Sequence, residues 1–149
     1  MSEEQITKAL LKWLTERKWH IVCFDFPQSG TGKILHSNDS ANEKNKNAII
    51  PDLVAVRNGV CLFSENKDHF SLSDFEKQNR LIVGNEYSNA IALLLKGFEV
   101  HRLYFGIGLP CGKYRKGAQA AASLVDFVLV VDEGGSVQAA HNPSGIDFF

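Results

Sequence analysis

The sequence predicts one α/β domain over residues 1–149, in which helices flank a mixed β-sheet. Three observations lead to this class. The N-terminal segment has an amphipathic helix pattern, two strand-like segments meet at Asn58-Gly59, and helical and strand-like segments alternate after them. The predicted order of elements is α-β-β-β-α-β-α-β-β, without an internal repeat or a linker.

The first helix is predicted over residues 3–18, where apolar side chains recur at helical spacing. Ser2 and Gln5 have the form of a capping box at its start. Residues 20–26 are rich in β-branched and aromatic side chains and are followed by Pro27, which predicts the first strand.

A long loop or flap is predicted over residues 27–47, which are polar and rich in Gly, Ser and Asn. Asn58-Gly59 is typical of a two-residue hairpin turn and joins predicted strands at 49–57 and 59–67. Ser73 is a candidate cap for a helix over 73–96, with a candidate break at Gly84-Asn85. The remaining predicted elements are a strand at 98–107, a helix at 116–125 and a hairpin of strands at 127–131 and 137–140.

Composition limits the class of partner. The formal net charge is -1, so no basic field covers the whole chain, and binding to nucleic acid would need a local basic patch. The three cysteines include no CxxC pair, which argues against a zinc knuckle. No signal peptide and no apolar run of membrane-spanning length is present, so we expect a cytoplasmic protein without a membrane partner.

Charged residues lie within one strand of the predicted hairpin and at the end of the other. Asp52 lies within an otherwise apolar strand, and Glu65-Asn66-Lys67 ends the next one. Because the tight turn makes these strands antiparallel neighbours, their far ends lie side by side and Asp52 is expected near Glu65. Side chains alternate along a strand, so Glu65 and Lys67 are expected on the same face.

Two carboxylates and an ammonium at one place suit phosphodiester hydrolysis. Asp52 and Glu65 are hard oxygen ligands for Mg²⁺, with Mn²⁺ as a substitute, and the carbonyl of Asn66 is a further candidate ligand. Such an ion acidifies a bound water and stabilises charge on the phosphate. Lys67 can pair with the scissile phosphate or position the attacking water.

The segment IIPDLVAVRNGVCLFSENK (residues 49–67) resembles the core motif of the PD-(D/E)xK nuclease superfamily, which includes restriction endonucleases, Holliday-junction resolvases and repair nucleases. The resemblance covers roughly residues 1–108, and the last forty residues do not match. It implies a restriction-endonuclease-like fold, with Asp52 and Glu65 as metal ligands and Lys67 as the catalytic lysine. It also implies a Mg²⁺-dependent DNA endonuclease of restriction or repair type.

Two further site residues are predicted on helices. Members of this superfamily often carry an acidic residue on the first helix, and Glu3 shares the apolar stripe, with Glu4 as the fallback. A favourable interaction of both with the helix dipole explains them equally well. Some branches carry a glutamine early in the helix after the lysine, which Gln78 matches, and Lys77 is the alternative.

Substrate contacts are predicted in two loops. Ser29 and Lys33 belong to the SGTGK loop, which a flexible turn also explains. Lys113, Arg115 and Lys116 surround Tyr114 before a helix start, where a phosphate is favoured. A solvated charge run is the alternative for these three residues, and residues 38–47 are the other candidate for contacts.

The expected partner is DNA, and a homodimer is plausible because cutting both strands commonly needs two sites. Two alternatives stay open at this point. One is a noncatalytic DNA-binding or assembly subunit with a nuclease-like fold. The other is a resolvase-like nuclease that recognises DNA structure.

Overall fold

Six strands form one sheet whose spatial order follows the chain, β1-β2-β3-β4-β5-β6. This computed structural model describes residues 1–38 and 47–149. The strands in this part of the chain are His20–Phe24 (β1), Leu53–Arg57 (β2), Val60–Asn66 (β3), Arg102–Pro110 (β4), Phe127–Val131 (β5) and Val137–His141 (β6). β1, β2 and β3 are antiparallel neighbours, β4 runs parallel to β3 and to β5, and β6 is antiparallel to β5. The ends of β3 and β4 therefore lie at the same edge of the sheet as the start of β2.

Helices cover both faces of this sheet. The α-helices of the described residues are Glu3–Glu16 (α1), Leu72–Val83 (α2), Ser88–Leu94 (α3) and Lys116–Ala121 (α4), and short 3-10 turns lie at Cys111–Lys113 and Ala122–Leu124. α1 packs on one face, where Ile6 and Leu10 join a core cluster with Leu53 and Leu62. The alternate side chains of the strands point to the other face, where they form two core clusters with α2, α3 and α4.

The predicted α/β class with a mixed sheet flanked by helices is confirmed. The observed order, α-β-β-β-α-α-β-α-β-β, contains one helix more than expected. The candidate break at Gly84-Asn85 separates α2 from α3, since Gly84 caps α2 with an extended backbone (φ -104°, ψ 177°). The capping box of Ser2 and Gln5 is confirmed at the start of α1.

Three predicted boundaries are wrong. Asp52 precedes β2 instead of lying within it, because Pro51 lacks an N–H for the ladder and pairing starts at Leu53. The fourth strand starts at Arg102, where parallel pairing with Val60 begins, and not at residue 98. The cap of α2 is Ser71 and not Ser73.

The predicted flap, residues 27–47, lies partly outside the described residues, and the structure describes only residues 27–38 and 47 of it. An isolated bridge between Leu35 and Ile49 joins the two sides of this segment. Among the described residues, no helix combines the length and the apolar character needed to cross a bilayer.

Candidate active site

The β2–β3 hairpin brings Asp52 and Glu65 together. Its turn residues Asn58 (φ 51°) and Gly59 (φ 81°) both adopt positive φ, as a type I′ turn requires. This turn fixes a register in which Leu53 faces Ser64, and one residue further along it Asp52 comes opposite Glu65. Asp52 Oδ2 accepts a hydrogen bond from the backbone N–H of Asn66 at 2.8 Å.

The side chain of Asn66 connects β3 to α1 below the site. Asn66 is 1% exposed. Its Nδ2 donates to Thr7 Oγ1 at 3.0 Å, and its Oδ1 accepts from Ser64 Oγ at 2.7 Å. Gly108 on β4 makes room for this amide, because a Cβ there would lie 2.6 Å from Asn66 Oδ1. The buried network fixes the first turns of α1, and thereby Glu3, beside the end of β3.

Lys67 and Glu3 are in contact. The N–H of Lys67 donates to the Gly108 carbonyl at 3.0 Å, which extends the β3–β4 ladder by one residue. Lys67 Nζ lies 3.5 Å from Glu3 Oε1. Glu4, the fallback residue, instead faces Lys8 on the exposed side of α1 at 3.8 Å. The helical phase that favoured Glu3 therefore matches its placement, while its role stays a prediction.

On α2, Lys77 and not Gln78 reaches the carboxylates. Lys77 Nζ lies 3.5 Å from Glu65 Oε1. Gln78 is 3% exposed, and its Nε2 donates to the carbonyls of Gly106 at 2.7 Å and Phe63 at 3.4 Å. Gln78 thus ties α2 to β3 and β4, while the alternative residue Lys77 contacts Glu65, and a catalytic role of either residue stays a prediction.

Asp74 is a member of this group of charges that the sequence interpretation missed. It lies in the first turn of α2, one helical turn before Lys77. Its charge acts on both Glu65 and Lys67. The sequence offered one signal for Asp74, which is its position three residues before Lys77 on the same helix. Such spacing is common on exposed helix faces.

Burial shifts the acid–base behaviour of the site. Burial, followed by the negative charge of Glu65, raises the pKa of Asp52 to about 7. Burial also raises the pKa of Glu65, and the nearby Lys77 ammonium only partly opposes it. Burial alone would lower the pKa of Lys67, but Asp74, Glu3 and Glu65 outweigh it and raise that pKa. A cation bound between Asp52 and Glu65 would favour the ionised form of both.

The carboxylate oxygens of Asp52 and Glu65 fit a hydrated Mg²⁺ ion. Among residues 1–38 and 47–149, no three His, Cys, Asp or Glu side chains form a group that could hold a metal ion by themselves. Mg²⁺ is commonly held by one or two carboxylates and keeps several waters, so Asp52 and Glu65 suffice for it. The amide of Asn66 is committed to Thr7 and Ser64, which leaves only its main-chain carbonyl as the predicted further ligand.

The two predicted substrate loops lie differently with respect to this site. Lys113, Arg115 and Lys116 are exposed and follow the end of β4, which is the parallel neighbour of β3. Tyr114 among them is half-buried and packs against the core cluster beneath α4, so only part of its ring is open to a base or sugar.

Ser29 and Lys33 have other local roles. The Ser29 hydroxyl donates to Asp25 Oδ1 at 3.2 Å and accepts from the Phe26 N–H at 3.3 Å, which stabilises the turn after β1. Lys33 is exposed and lines a groove against α3. Neither residue makes a hydrogen bond or ion pair with the carboxylates of the site in the described part of the chain.

Comparisons of the chain with protein-family models, with curated proteins and with solved structures found no match. The geometry of the site and the motif in residues 49–67 are therefore the features of this chain that bear on its function.

Proposed function

We propose that this chain is a Mg²⁺-dependent phosphodiesterase that cleaves DNA, with a restriction-endonuclease-like arrangement of the PD-(D/E)xK type. One observation carries the proposal. Asp52 and Glu65 lie opposite each other at one edge of the sheet, and both are largely buried although burial disfavours their charged forms. Buried carboxylates cost folding free energy, and a site that binds a cation accounts for that cost.

Each residue of the site has a part in this proposal. Asp52, Glu65 and the Asn66 carbonyl would hold the ion, which supplies an acidified water and neutralises charge on the phosphate. Lys67 has three N–H donors for a phosphate oxygen, and Glu3 holds its ammonium at the edge of the sheet. In the reaction a water oxygen bonds to phosphorus, and the bond from phosphorus to the leaving sugar oxygen breaks.

The loop after β4 is the proposed contact for the DNA backbone. Its exposed cations Lys113, Arg115 and Lys116 follow the strand next to β3. Phosphate contacts of this kind position the duplex without reading its sequence. A homodimer and a restriction or repair role remain part of the proposal, since two copies would serve the two strands of a duplex.

The test is a cleavage panel with Mg²⁺ or Mn²⁺ on supercoiled plasmid, linear duplex, single strands, branched DNA and RNA. We expect cleavage of DNA by the wild type and none by Asp52→Asn, Glu65→Gln or Lys67→Ala. Glu76→Gln is the matched control, because this exposed carboxylate lies on α2 and the change removes the same charge. Preference for branched DNA would favour the resolvase-like alternative.

A noncatalytic subunit is the second candidate, and one observation favours it. Lys77 already pairs with Glu65 and Lys67 with Glu3, so the cluster is partly neutralised by its own cations. A noncatalytic subunit would bind DNA without cleaving it and would show no heat of Mg²⁺ binding by calorimetry. That combination of results would replace the nuclease proposal.

A further inference from the structure

Two phenylalanines beside the candidate active site lie outside the hydrophobic core. Phe24 ends β1 and Phe26 follows it by two residues, and both side chains are partly exposed. Within the described part of the chain, neither ring belongs to a core cluster or packs against one. Phenylalanine is among the residue types that are most often fully buried, so two partly exposed rings at one place call for an explanation.

The two rings form a small aromatic surface next to a cation. Their centroids lie 6.0 Å apart, and their planes differ by 25°. Lys8 of α1 places its Nζ atom 5.4 Å from the centroid of the Phe26 ring. The Lys8 side chain is 61% exposed, and its contact with Glu4 at 3.8 Å is a surface ion pair of the kind that contributes little. Phe24, Phe26 and Lys8 together form what we call the aromatic platform.

The aromatic platform lies next to the proposed catalytic residues. The N–H of Asp25, between the two phenylalanines, donates to the main-chain carbonyl of Asp52 at 2.9 Å. From the other side, α1 places Glu3 against Lys67 and, five residues later, Lys8 over a phenylalanine ring. A helix rises 1.5 Å per residue, so these two positions of α1 are separated by about 7.5 Å. A nucleotide that flanks a phosphate bound at Lys67 is therefore within reach of the platform.

Hydrogen bonds of the turn after β1 fix the main chain of both phenylalanines. The Thr31 hydroxyl donates to the Phe24 carbonyl at 2.6 Å. The Ser29 hydroxyl accepts from the Phe26 N–H at 3.3 Å, and the Ser29 N–H donates to the Phe26 carbonyl at 2.9 Å. The rings are thus held in place before a ligand binds, which lowers the entropic cost of binding.

Packing alone accounts for the contact between the two rings but not for their exposure. A ring at the surface gives up part of the free energy that its burial would contribute to folding. β1 is an edge strand of the sheet, and natural edge strands are commonly protected by charged side chains. A pair of phenylalanines at this edge instead offers flat apolar faces to a ligand.

We propose that the aromatic platform binds an unpaired nucleotide of the DNA substrate, with its base stacked on Phe24 and Phe26 and a neighbouring phosphate at Lys8. This inference rests on the proposed nuclease function and specifies its substrate as DNA with a single-stranded segment beside the cleavage site. Every base has a π face, so aromatic side chains bind unpaired bases with little regard to sequence. In a continuous duplex the bases stack on one another, which leaves no face for the rings.

The experiment measures DNA binding in Ca²⁺, with a blunt duplex and with the same duplex carrying a single-stranded tail. Loss of an aromatic ring that stacks on a base costs about 5–100-fold in affinity. Phe26→Leu keeps an apolar side chain without a flat ring, and we expect it to bind the tailed duplex about fivefold or more weakly than the wild type does. Its affinity for the blunt duplex should be unchanged, and Phe24→Leu should behave in the same way.

Phe149→Leu is the matched control. Phe149 is 79% exposed, and Arg17 Cζ lies 4.7 Å from its ring centroid, so it repeats the arrangement of ring and cation. Arg17 follows Lys8 by nine residues, which is about 14 Å along α1. This variant should bind both duplexes like the wild type, and equal losses in Phe149→Leu and Phe26→Leu would overturn the proposal.

A fluorescent variant tests the contact directly. The natural tryptophans, Trp13 and Trp19, are buried, so Phe26→Trp adds a partly exposed indole at the platform. Its emission should be quenched by the tailed duplex and not by the blunt duplex, because only the tail supplies a base that can stack on it. Equal responses to the two duplexes would contradict the proposal.

Folding stability separates this role from a structural one. If the rings serve only packing, Phe26→Leu will lower the melting temperature and leave the ratio of the two affinities as in the wild type, and that result overturns the proposal. If Phe26→Leu does not fold, Phe26→Trp decides, because it keeps an aromatic ring.

The failure of this inference and that of the nuclease proposal are distinguishable. Cleavage of DNA by the wild type, with the same preference between tailed and blunt duplex in Phe26→Leu, refutes only the platform. A preference for the tailed duplex that is lost in Phe26→Leu, in a protein that cleaves none of the substrates, refutes the nuclease and leaves the platform. Absence of DNA binding by the wild type would refute both.

Discussion

Replacing Asp52 by asparagine should change how the stability of the metal-free protein depends on pH. The pKa of Asp52 is raised from 3.8 to about 7 in the folded protein, first by burial and then by the charge of Glu65. The folded state therefore holds a proton that the unfolded state releases between these two values. Stability falls as pH rises through this interval, and is constant above it, because protonation favours the folded state.

The size of the effect follows from the shift. Each pH unit between the two pKa values is worth about 1.4 kcal/mol, so ionised Asp52 lowers the free energy of unfolding by up to about 4 kcal/mol at pH 8. At pH 5 the corresponding loss of unfolding free energy is about 2 kcal/mol. Asp52→Asn is neutral at every pH, and its side-chain oxygen can still accept the hydrogen bond from the Asn66 N–H. The variant should therefore be more stable than the wild type, by an amount that grows from pH 5 to pH 8.

Urea unfolding in EDTA at pH 5, 6, 7 and 8 measures this difference. Mg²⁺ at about 100 times its Kd should narrow the difference at pH 8 by about 2.7 kcal/mol, because an ion that binds only the folded wild type stabilises it by mass action. Glu76→Gln, the exposed control, should follow the wild type throughout. Parallel pH profiles for the wild type and Asp52→Asn, or a variant less stable than the wild type at pH 8 in EDTA, would contradict a raised pKa of Asp52.

Three further predictions concern the surroundings of the site. Gln78→Ala should lower the free energy of unfolding by about 1–3 kcal/mol in urea titrations, because buried carbonyls lose their donor; reduced cleavage at unchanged stability would instead support a functional role. Gly108→Ala should lower the free energy of unfolding by about 1–3 kcal/mol because the added methyl group overpacks the contact with Asn66, and it should lower kcat as α1 shifts. A normal melting temperature with normal cleavage would argue against this tight contact. Lys113→Ala, Arg115→Ala and Lys116→Ala should each lower the slope of log K against log[salt] for DNA binding in Ca²⁺ by about one, and unchanged slopes would identify a solvated surface.

The part of the site that the sequence predicted is the part that local structure determines. Asn58-Gly59 specifies a two-residue turn, the turn specifies the register, and the register sets Asp52 opposite Glu65. No information about distant segments is needed for this step. The placement of Glu3 beside Lys67 was also accessible, because the apolar stripe of α1 fixes which side of the helix faces the sheet.

The predicted boundaries failed where tertiary contacts decide them. The fourth strand starts at Arg102 because that residue pairs with Val60, and the sequence between residues 98 and 101 does not reveal which residue the partner strand meets first.

The predicted contacts of Ser29 and Lys33 depended on how the segment after β1 folds back. In the structure Ser29 stabilises its own turn and Lys33 lines a groove against α3.

The choice among Asp74, Lys77 and Gln78 shows why the α2 side of the site was not accessible from the sequence. Successive helical residues point about 100° apart, so the phase of the helix decides which side chain meets the carboxylates. That phase is set by the burial of Phe75 against the sheet, and β4 and β5 supply part of its environment. A motif comparison selects a residue type, here glutamine, and has no access to this phase. The structure directs Gln78 to the carbonyl of Gly106 and turns Lys77 toward Glu65, so the α2 residue that meets the carboxylates could not be chosen from the motif alone.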